Sequence, residues 1–410
     1  MKLISAELSL PLPTIPPCSV GEQWVLVRLH GEPLGFVTTP AEGASPLQLA
    51  ALVFDRLSFP LIRHLIADGM ASAAALADLT SIPRGCPHKR HPALRVTVAV
   101  CTRNRATQLR TCLDSIQAIE HPRDLLELLV VDNAPEDTAT RDVVEQYPGV
   151  RYVCEPRPGL DRARNRAILE STGAIVAFTD DDVSVDPLWV GALAAAFEDE
   201  PHAMGVTGLV VPDELDTPAQ ILFERYGGFS RGVNRFVFYA PDVERVASRY
   251  GGAGRFGTGA NMAFRREFFD AHGLFDPALD VGTPTNGGGD LEMFFRVLKE
   301  GHALVYEPNA IVRHRHRREY RDLRSQIENN GIGFYSYMVR SARAYPRERM
   351  AFARFGAWWW WSWNLRRLLR SLVGREPIPR DLIAAECVGS CKGLWRYAMS
   401  RRRIAGERAS

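Results

Sequence analysis

Four short apolar runs, each followed by a polar loop and a helical pattern, constrain this fold more than any other feature. Val96–Cys101 precedes a helical spacing at Leu109, Cys112, Leu113 and Ile116. Leu126–Val131 precedes another at Val143–Tyr147, and Val150–Val153 leads into Leu160–Glu170. Ala174–Phe178 is followed by Pro187 and the helical stretch Leu188–Phe197. Strands alternating with helices predict βαβ units, hence an α/β domain with a mostly parallel sheet covered on both faces. Ligands of such sheets sit beyond the carboxyl ends of the strands. The residues just after each run are therefore where chemistry is expected.

Three of those ends carry polar clusters: Thr102-Arg103-Asn104-Arg105, Asp132-Asn133 and Thr179-Asp180-Asp181-Asp182. Adjacent carboxylates at a strand exit repel one another, and a divalent cation relieves this. Hard carboxylate oxygens suit Mg²⁺ or Mn²⁺, with phosphate oxygens completing the shell. The bland alternative is a solvated acidic turn with an aspartate as helix N-cap. The chain has no GxxxxGK[ST] loop and no GxGxxG after the first strand, so neither a P-loop nor a dinucleotide-binding turn is indicated.

Taken in order, these motifs resemble family-2 glycosyltransferases of the GT-A fold. The match runs through Val96–Arg105, Val130–Asn133, Gly159-Leu-Asp-Arg-Ala-Arg-Asn165 and Phe178–Asp182. It continues through Gly257-Thr-Gly-Ala-Asn-Met262, Gly287-Gly-Gly-Asp290 and Val312-Arg-His314, covering roughly residues 94–318. The resemblance implies metal and diphosphate contacts at Asp180, Asp182 and His314. It implies a nucleotide lining of Thr102, Arg103, Arg105 and Asp132, with Arg164 and Asn165 packed beneath. Asp181 would face the ribose or sugar, Asn261 the transferred sugar or acceptor, and Asp290 would be the general base. One departure stands out. The family has Glu-Asp before this helix, whereas this chain has Gly289-Asp290. Glu292 is acidic, but on a helix it points elsewhere. Asp290 also reads as an N-cap for Leu291–Lys299, and His316 shares the strand face of His314.

Outside that region the sequence is less directive. Residues 1–90 read as a small α+β domain. Trp24–His30 is a strand, Gly31–Gly35 a turn, Phe36–Thr39 a return strand, and Ser45-Pro46 a capped helix start. Ala71–Leu79 reads as a short helix and 83–92 as a linker. Residues 319–410 read as a helical extension. Two glycine-rich stretches, Gly251–Gly259 and Gly282–Gly289, are either plain turns or loops that close over substrate.

Charge is distributed unevenly. Residues 313–410 hold 22 Lys+Arg against 8 Asp+Glu, while the chain as a whole has a net charge of +2. Trp358, Trp361, Leu365, Leu368 and Leu372 form one helical stripe, with Arg366, Arg367 and Arg370 off it. Such a helix fits an anionic membrane surface through residues 355–373, or packing on the catalytic domain. No nucleic-acid reader motif is present. No apolar stretch is long enough to span a membrane, and Met1–Pro13 does not resemble a secretory signal. Seven scattered cysteines without a CxxC pair fit a reducing, cytoplasmic setting. Oligomeric state is not legible.

The expected function is inverting, divalent-metal-dependent transfer of a sugar from a nucleotide-diphospho-sugar donor to a hydroxyl acceptor. The acceptor would be a saccharide or lipid-linked saccharide, in cell-envelope or extracellular polysaccharide synthesis at the inner membrane face. The alternatives are a metal-dependent nucleotidyltransferase and a non-catalytic membrane-associated scaffold that kept the fold.

Overall fold

The computed structural model describes residues 3–18, 22–70, 92–239 and 254–409. The expected helix at 71–79 and nearly all of the 83–92 linker lie outside these residues.

Near the amino end, β1 (Ile4–Glu7), β2 (Glu22–Leu29) and β3 (Glu32–Pro40) form a three-stranded sheet. The β2–β3 turn is shorter than expected. It consists of His30 and Gly31, both at positive φ (53° and 88°), the conformation a two-residue hairpin turn requires. Helix α1 (Pro46–Ala67) begins as anticipated. Ser45 accepts from the Gln48 N–H, Gln48 reaches back to Ser45, and Pro46 fills the first turn. Its buried Leu49, Val53, Leu57, Leu61 and Leu65 cover one face of the small sheet.

The central strands are β4 (Val96–Thr102), β5 (Leu126–Asn133), β6 (Val150–Glu155), β7 (Ile175–Asp180) and β8 (Val183–Val185). They continue with β9 (Ala203–Pro212), β10 (Phe236–Phe238), β11 (Asn261–Arg265) and β12 (Ala303–His314). The order is β10-β12-β9-β11-β7-β4-β5-β6, with β8 paired to β12. The parallel expectation holds in the half β7-β4-β5-β6 and in the pair β9-β12. Strands β8, β10 and β11 run antiparallel, so the sheet is mixed. All seven residues of β4 are buried, as helices on both faces demand.

The intervening helices are α2 (Ala106–Gln117), α3 (Ala139–Val144), α4 (Leu160–Glu170), α5 (Trp189–Asp199), α6 (Pro218–Tyr226), α7 (Arg266–His272) and α8 (Gly289–Lys299). The small sheet is fastened to the large one. Arg28 pairs with Asp186 at 2.5 Å, Arg313 donates to the Leu3 carbonyl at 2.7 Å, and Leu3 and Leu26 pack with Leu209, Val211 and Ile311.

The last part is helical as expected: α9 (Tyr320–Ala344), α10 (Arg349–Trp359), α11 (Arg366–Leu372) and α12 (Arg380–Ala409). Residues Trp360–Leu365 form a π-helical turn joining α10 to α11. Its wider winding shifts the helical phase of α11 relative to α10. Leu368 consequently turns inward against Leu382 and Ile383, and Leu369 takes its place on the outside. The exposed row is Trp358, Trp361, Leu369 and Leu372, a correction to the uniform stripe expected. Among the described residues no helix is long and apolar enough to cross a membrane.

Candidate active site

Strand β7 ends on Asp180 and β8 begins at Val183, so Asp181 and Asp182 occupy the tight turn between them. Antiparallel pairing sets His314 of β12 opposite Val183, bringing a distant histidine beside this turn. Asp180, Asp182 and His314 each offer a ligand atom, all within 4.8 Å of one another. His314 Nε2 lies 3.4 Å from Asp182 Oδ1. Burial pushes the Asp180 carboxyl up to about 7, and neighbouring Asp182 adds to it. Burial likewise drives His314 down to about 4, so its imidazole is neutral and able to ligate. The buried His314 Nδ1 has no hydrogen-bond partner. Crowded carboxylates beside a neutral imidazole fit Mg²⁺ or Mn²⁺, as the sequence suggested.

Asp181 points the other way. Its carboxylate accepts from Thr102 Oγ1 at 2.8 Å and from Arg105 Nη1 at 3.0 Å. Burial raises its pKa, and Arg105 partly offsets this. Arg105 also approaches Asp182 at 3.5 Å. Thr102, Arg103 and Arg105 all line a cleft of about 870 Å³ that contains the acidic turn.

Asp290 borders the same cleft from the first turn of α8. It is not the N-cap; that residue is Gly288. Its Oδ2 accepts the Gly259 N–H at 2.9 Å, which fixes the carboxylate toward the opening. Beneath lies Arg164, whose guanidinium pairs with Asp161 at 3.1 Å. Burial opposes the charge on Arg164, but Asp161, Asp180 and Asp290 around it outweigh burial and raise its pKa. Arg164 is thus the fixed cation shared by the acidic turn and Asp290.

Asp161 and Asp280 were not singled out from the sequence. Asp280 accepts from the Asp161 and Arg162 N–H groups at the start of α4, at 2.9 and 3.3 Å. Asp161 packs against Gly289 so closely that a Cβ there would lie 2.0 Å from its Oδ2. Position 289 therefore has no room for a side chain, a glutamate included. Glu292 turns into the core, bound by Arg296 and Arg340. The signal available beforehand was Asp161 inside the quoted motif; nothing local marks Asp280.

Three expected contacts do not face the cleft. Asp132 is buried, accepting from Tyr152 OH at 2.9 Å. Both ends of the Asn165 amide are taken by the Phe275 main chain at 2.9 Å. Asn261 donates to the Leu209 and Ala310 carbonyls at 3.0 and 2.8 Å, and accepts from Trp189 Nε1 at 2.8 Å. These amides clamp strands and loops. His316 also turns away, to Glu224 at 2.6 Å.

The helical extension closes one side of the cleft. Asn330 and Phe334 of α9, Trp359, Trp363 and Glu386 line it. Glu386 accepts from Trp363 Nε1 at 3.1 Å and from Tyr226 OH, while Arg367 stacks over both rings at 4.4 and 4.6 Å. The Trp-rich segment has two sides: Trp359 and Trp363 line the cleft, and Trp358 and Trp361 remain 54% and 59% exposed.

An acidic strand-end turn, a buried arginine and a second carboxylate thus meet at one cleft. Residues 97–273 match the model of Glycosyl transferase family 2, so the resemblance read from the motifs is borne out over that stretch. A glucosyl-dolichyl phosphate glucuronosyltransferase of Haloferax volcanii is 25% identical over 237 residues, covering 54% of this chain and 69% of that protein. A pre-mycofactocin glycosyltransferase of Mycobacterium tuberculosis is 26% identical over 294 residues. The match covers 68% of this chain but only 56% of the mycobacterial protein. Among solved structures, a mannosyltransferase of Pyrobaculum calidifontis in complex with GDP-Man and Mn²⁺ aligns with a TM-score of 0.48 at 20% identity, over 75% of this chain and 88% of that one.

Proposed function

We propose that the chain is an inverting, divalent-metal-dependent glycosyltransferase that moves a sugar from a nucleoside-diphosphate donor to a hydroxyl. The observation that carries this reading is one arrangement. Asp180, Asp182 and His314 converge beside a cleft that Asp290 also borders, and Arg164 is within electrostatic reach of both groups.

Asp180, Asp182 and His314 would hold Mg²⁺ or Mn²⁺, whose charge, when bound, stabilises the departing diphosphate. Arg103 and Arg105 supply further positive charge at the cleft wall. Thr102 and Arg105 hold Asp181 in place for the ribose or sugar. Asp290, anchored by the Gly259 N–H, takes the proton from the attacking hydroxyl. A single base, with attack opposite the leaving group, produces inversion without a covalent intermediate.

For the acceptor we favour a saccharide or lipid-linked saccharide of cell-envelope or extracellular polysaccharide synthesis. The Haloferax relative, named for a dolichyl phosphate substrate, supports this. The exposed Trp358, Trp361, Leu369 and Leu372, with Arg366 and Arg370 beside them, suit peripheral contact with the inner face of an anionic membrane. We read residues 1–90 as an accessory domain, 94–318 as catalytic, and 319–410 as the extension that walls the cleft.

The test is thermal unfolding with UDP, GDP, dTDP and CDP, each with and without Mn²⁺. A ligand at about 100 times its Kd adds about 2.7 kcal/mol. One diphosphate should stabilise the protein only with metal, and not in the Asp180→Asn/Asp182→Asn variant. Stabilisation by none of them would remove the donor assignment.

A further inference from the structure

A second cluster of ligating side chains lies in the amino-terminal unit, far along the chain from the cleft residues. His30 Nδ1, His64 Nε2 and Asp68 Oδ2 converge there. The separations are 3.3 Å between the imidazole nitrogens, and 2.8 and 3.1 Å from each to the carboxylate oxygen. All three side chains are at least nine-tenths buried.

Proton bookkeeping makes this cluster unusual. The other ring nitrogen of His64, Nδ1, faces the Glu32 carboxylate at 3.3 Å. Both ring nitrogens of His64 thus face carboxylates, which only accept, and a neutral imidazole has one proton to give. A second proton on His64, or a cation between His30, His64 and Asp68, satisfies both sides at once.

The geometry can accept the cation. With Zn–N and Zn–O near 2.1 Å, tetrahedral ligand atoms stand roughly 3.4 Å apart; the separations here are 3.3, 3.1 and 2.8 Å, so a small outward shift of Asp68 and His30 seats the ion. Glu32 behind His64 reproduces the carboxylate–histidine–metal relay that fixes ring orientation in metal sites. The supports are rigid. His64 and Asp68 lie one helical turn apart at the end of α1. His30 is presented by a hairpin turn whose His30 and Gly31 N–H groups are held by Glu7 at 2.9 and 3.0 Å. A cavity of about 360 Å³, lined by Glu32, Pro60, Arg63, His64, Arg235 and Glu307, opens onto His64 and provides access.

We propose that His30, His64 and Asp68 form a Zn²⁺ site, oriented by Glu32 and separate from the nucleotide-sugar cleft. Imidazole and carboxylate ligands suit Zn²⁺ better than the Mg²⁺ or Mn²⁺ of the cleft. Bound there, the ion ties the β2–β3 turn to the end of α1.

The experiment uses the full chain carrying Asp180→Asn and Asp182→Asn, stripped with chelator and titrated with Zn²⁺ alone. The readouts are calorimetric stoichiometry and the thermal midpoint. One Zn²⁺ per chain and a raised midpoint are expected. Adding Asp68→Asn, which preserves shape, should abolish both. Glu32→Gln, at an exposed position, should weaken binding about 10- to 100-fold without abolishing it. Folding of each variant is checked by circular dichroism; if His64→Ala does not fold, Asp68→Asn carries the test. A background variant that folds but binds no Zn²⁺ overturns the proposal in favour of a protonated His64. Binding that survives Asp68→Asn unchanged overturns it too.

Discussion

Asp161 occupies the space that any side chain at position 289 would need: a Cβ on Gly289 would lie 2.0 Å from Asp161 Oδ2. Gly289→Ala should therefore destabilise the protein by about 1–3 kcal/mol, the usual cost of overpacking. Asp161→Ala alone should also destabilise it, because the buried Arg164 loses its partner. Together the two should cost less than their sum by at least about 1 kcal/mol. Urea unfolding of the four proteins gives the coupling. Strict additivity would mean the two positions do not compete for space.

Asp290→Asn preserves shape and the Gly259 contact but removes the base. Transfer should fall about 10²- to 10⁴-fold. Stabilisation by the diphosphate with Mn²⁺ should persist, because the acidic turn is untouched. Unchanged turnover would assign the base elsewhere.

Burial pushes the Asp280 carboxyl up to about 6, although main-chain N–H groups at the start of α4 pull it down. Unfolded, it titrates near 3.8. Between these values the folded state holds the extra proton, so this group's contribution to stability falls as pH rises from about 4 to 6. Asp280→Asn should flatten that part of the profile of thermal midpoint against pH, leaving the slope above pH 7 unaltered. An identical slope in the variant would show that Asp280 does not titrate there.

Asn261 makes three hydrogen bonds, each to protein. Asn261→Ala should lower stability by about 2–4 kcal/mol, since it strands buried partners. The donor KM should move less than twofold. A large rise in KM at wild-type stability would return Asn261 to the substrate.

Trp358→Ala/Trp361→Ala removes exposed rings without opening the core. Co-sedimentation with phosphatidylglycerol vesicles should drop about tenfold, while the thermal midpoint stays within a degree or two. Binding by the parent protein should weaken with added salt. A parent that ignores the vesicles would end the membrane reading.

The strands carrying the site were legible because each combines an apolar run with a polar exit. The acidic turn could be read for the same reason: Asp180 and Asp182 follow β7 directly. His314 needed the resemblance, since only the β8–β12 pairing brings it to Asp182. Asn165 and Asn261 show the limit of motif reading. Their positions follow the pattern, but which way an amide faces depends on main-chain groups distant in sequence, such as Phe275 and Ala310. The inward turn of Leu368 was hidden too. A periodicity argument assumes 3.6 residues per turn throughout, and the π-helical turn breaks that assumption.

That same turn has a spatial consequence. Trp361 faces outward and Trp363, two residues later, faces the cleft, so one helix separates the exterior from the chamber. A helix with its side chains is about 10 Å thick. An acceptor tethered to whatever surface Trp361 rests on would need a leash of only that order to present its hydroxyl. On the proposed membrane reading, an acceptor anchored at that surface would therefore be favoured over one free in bulk solution.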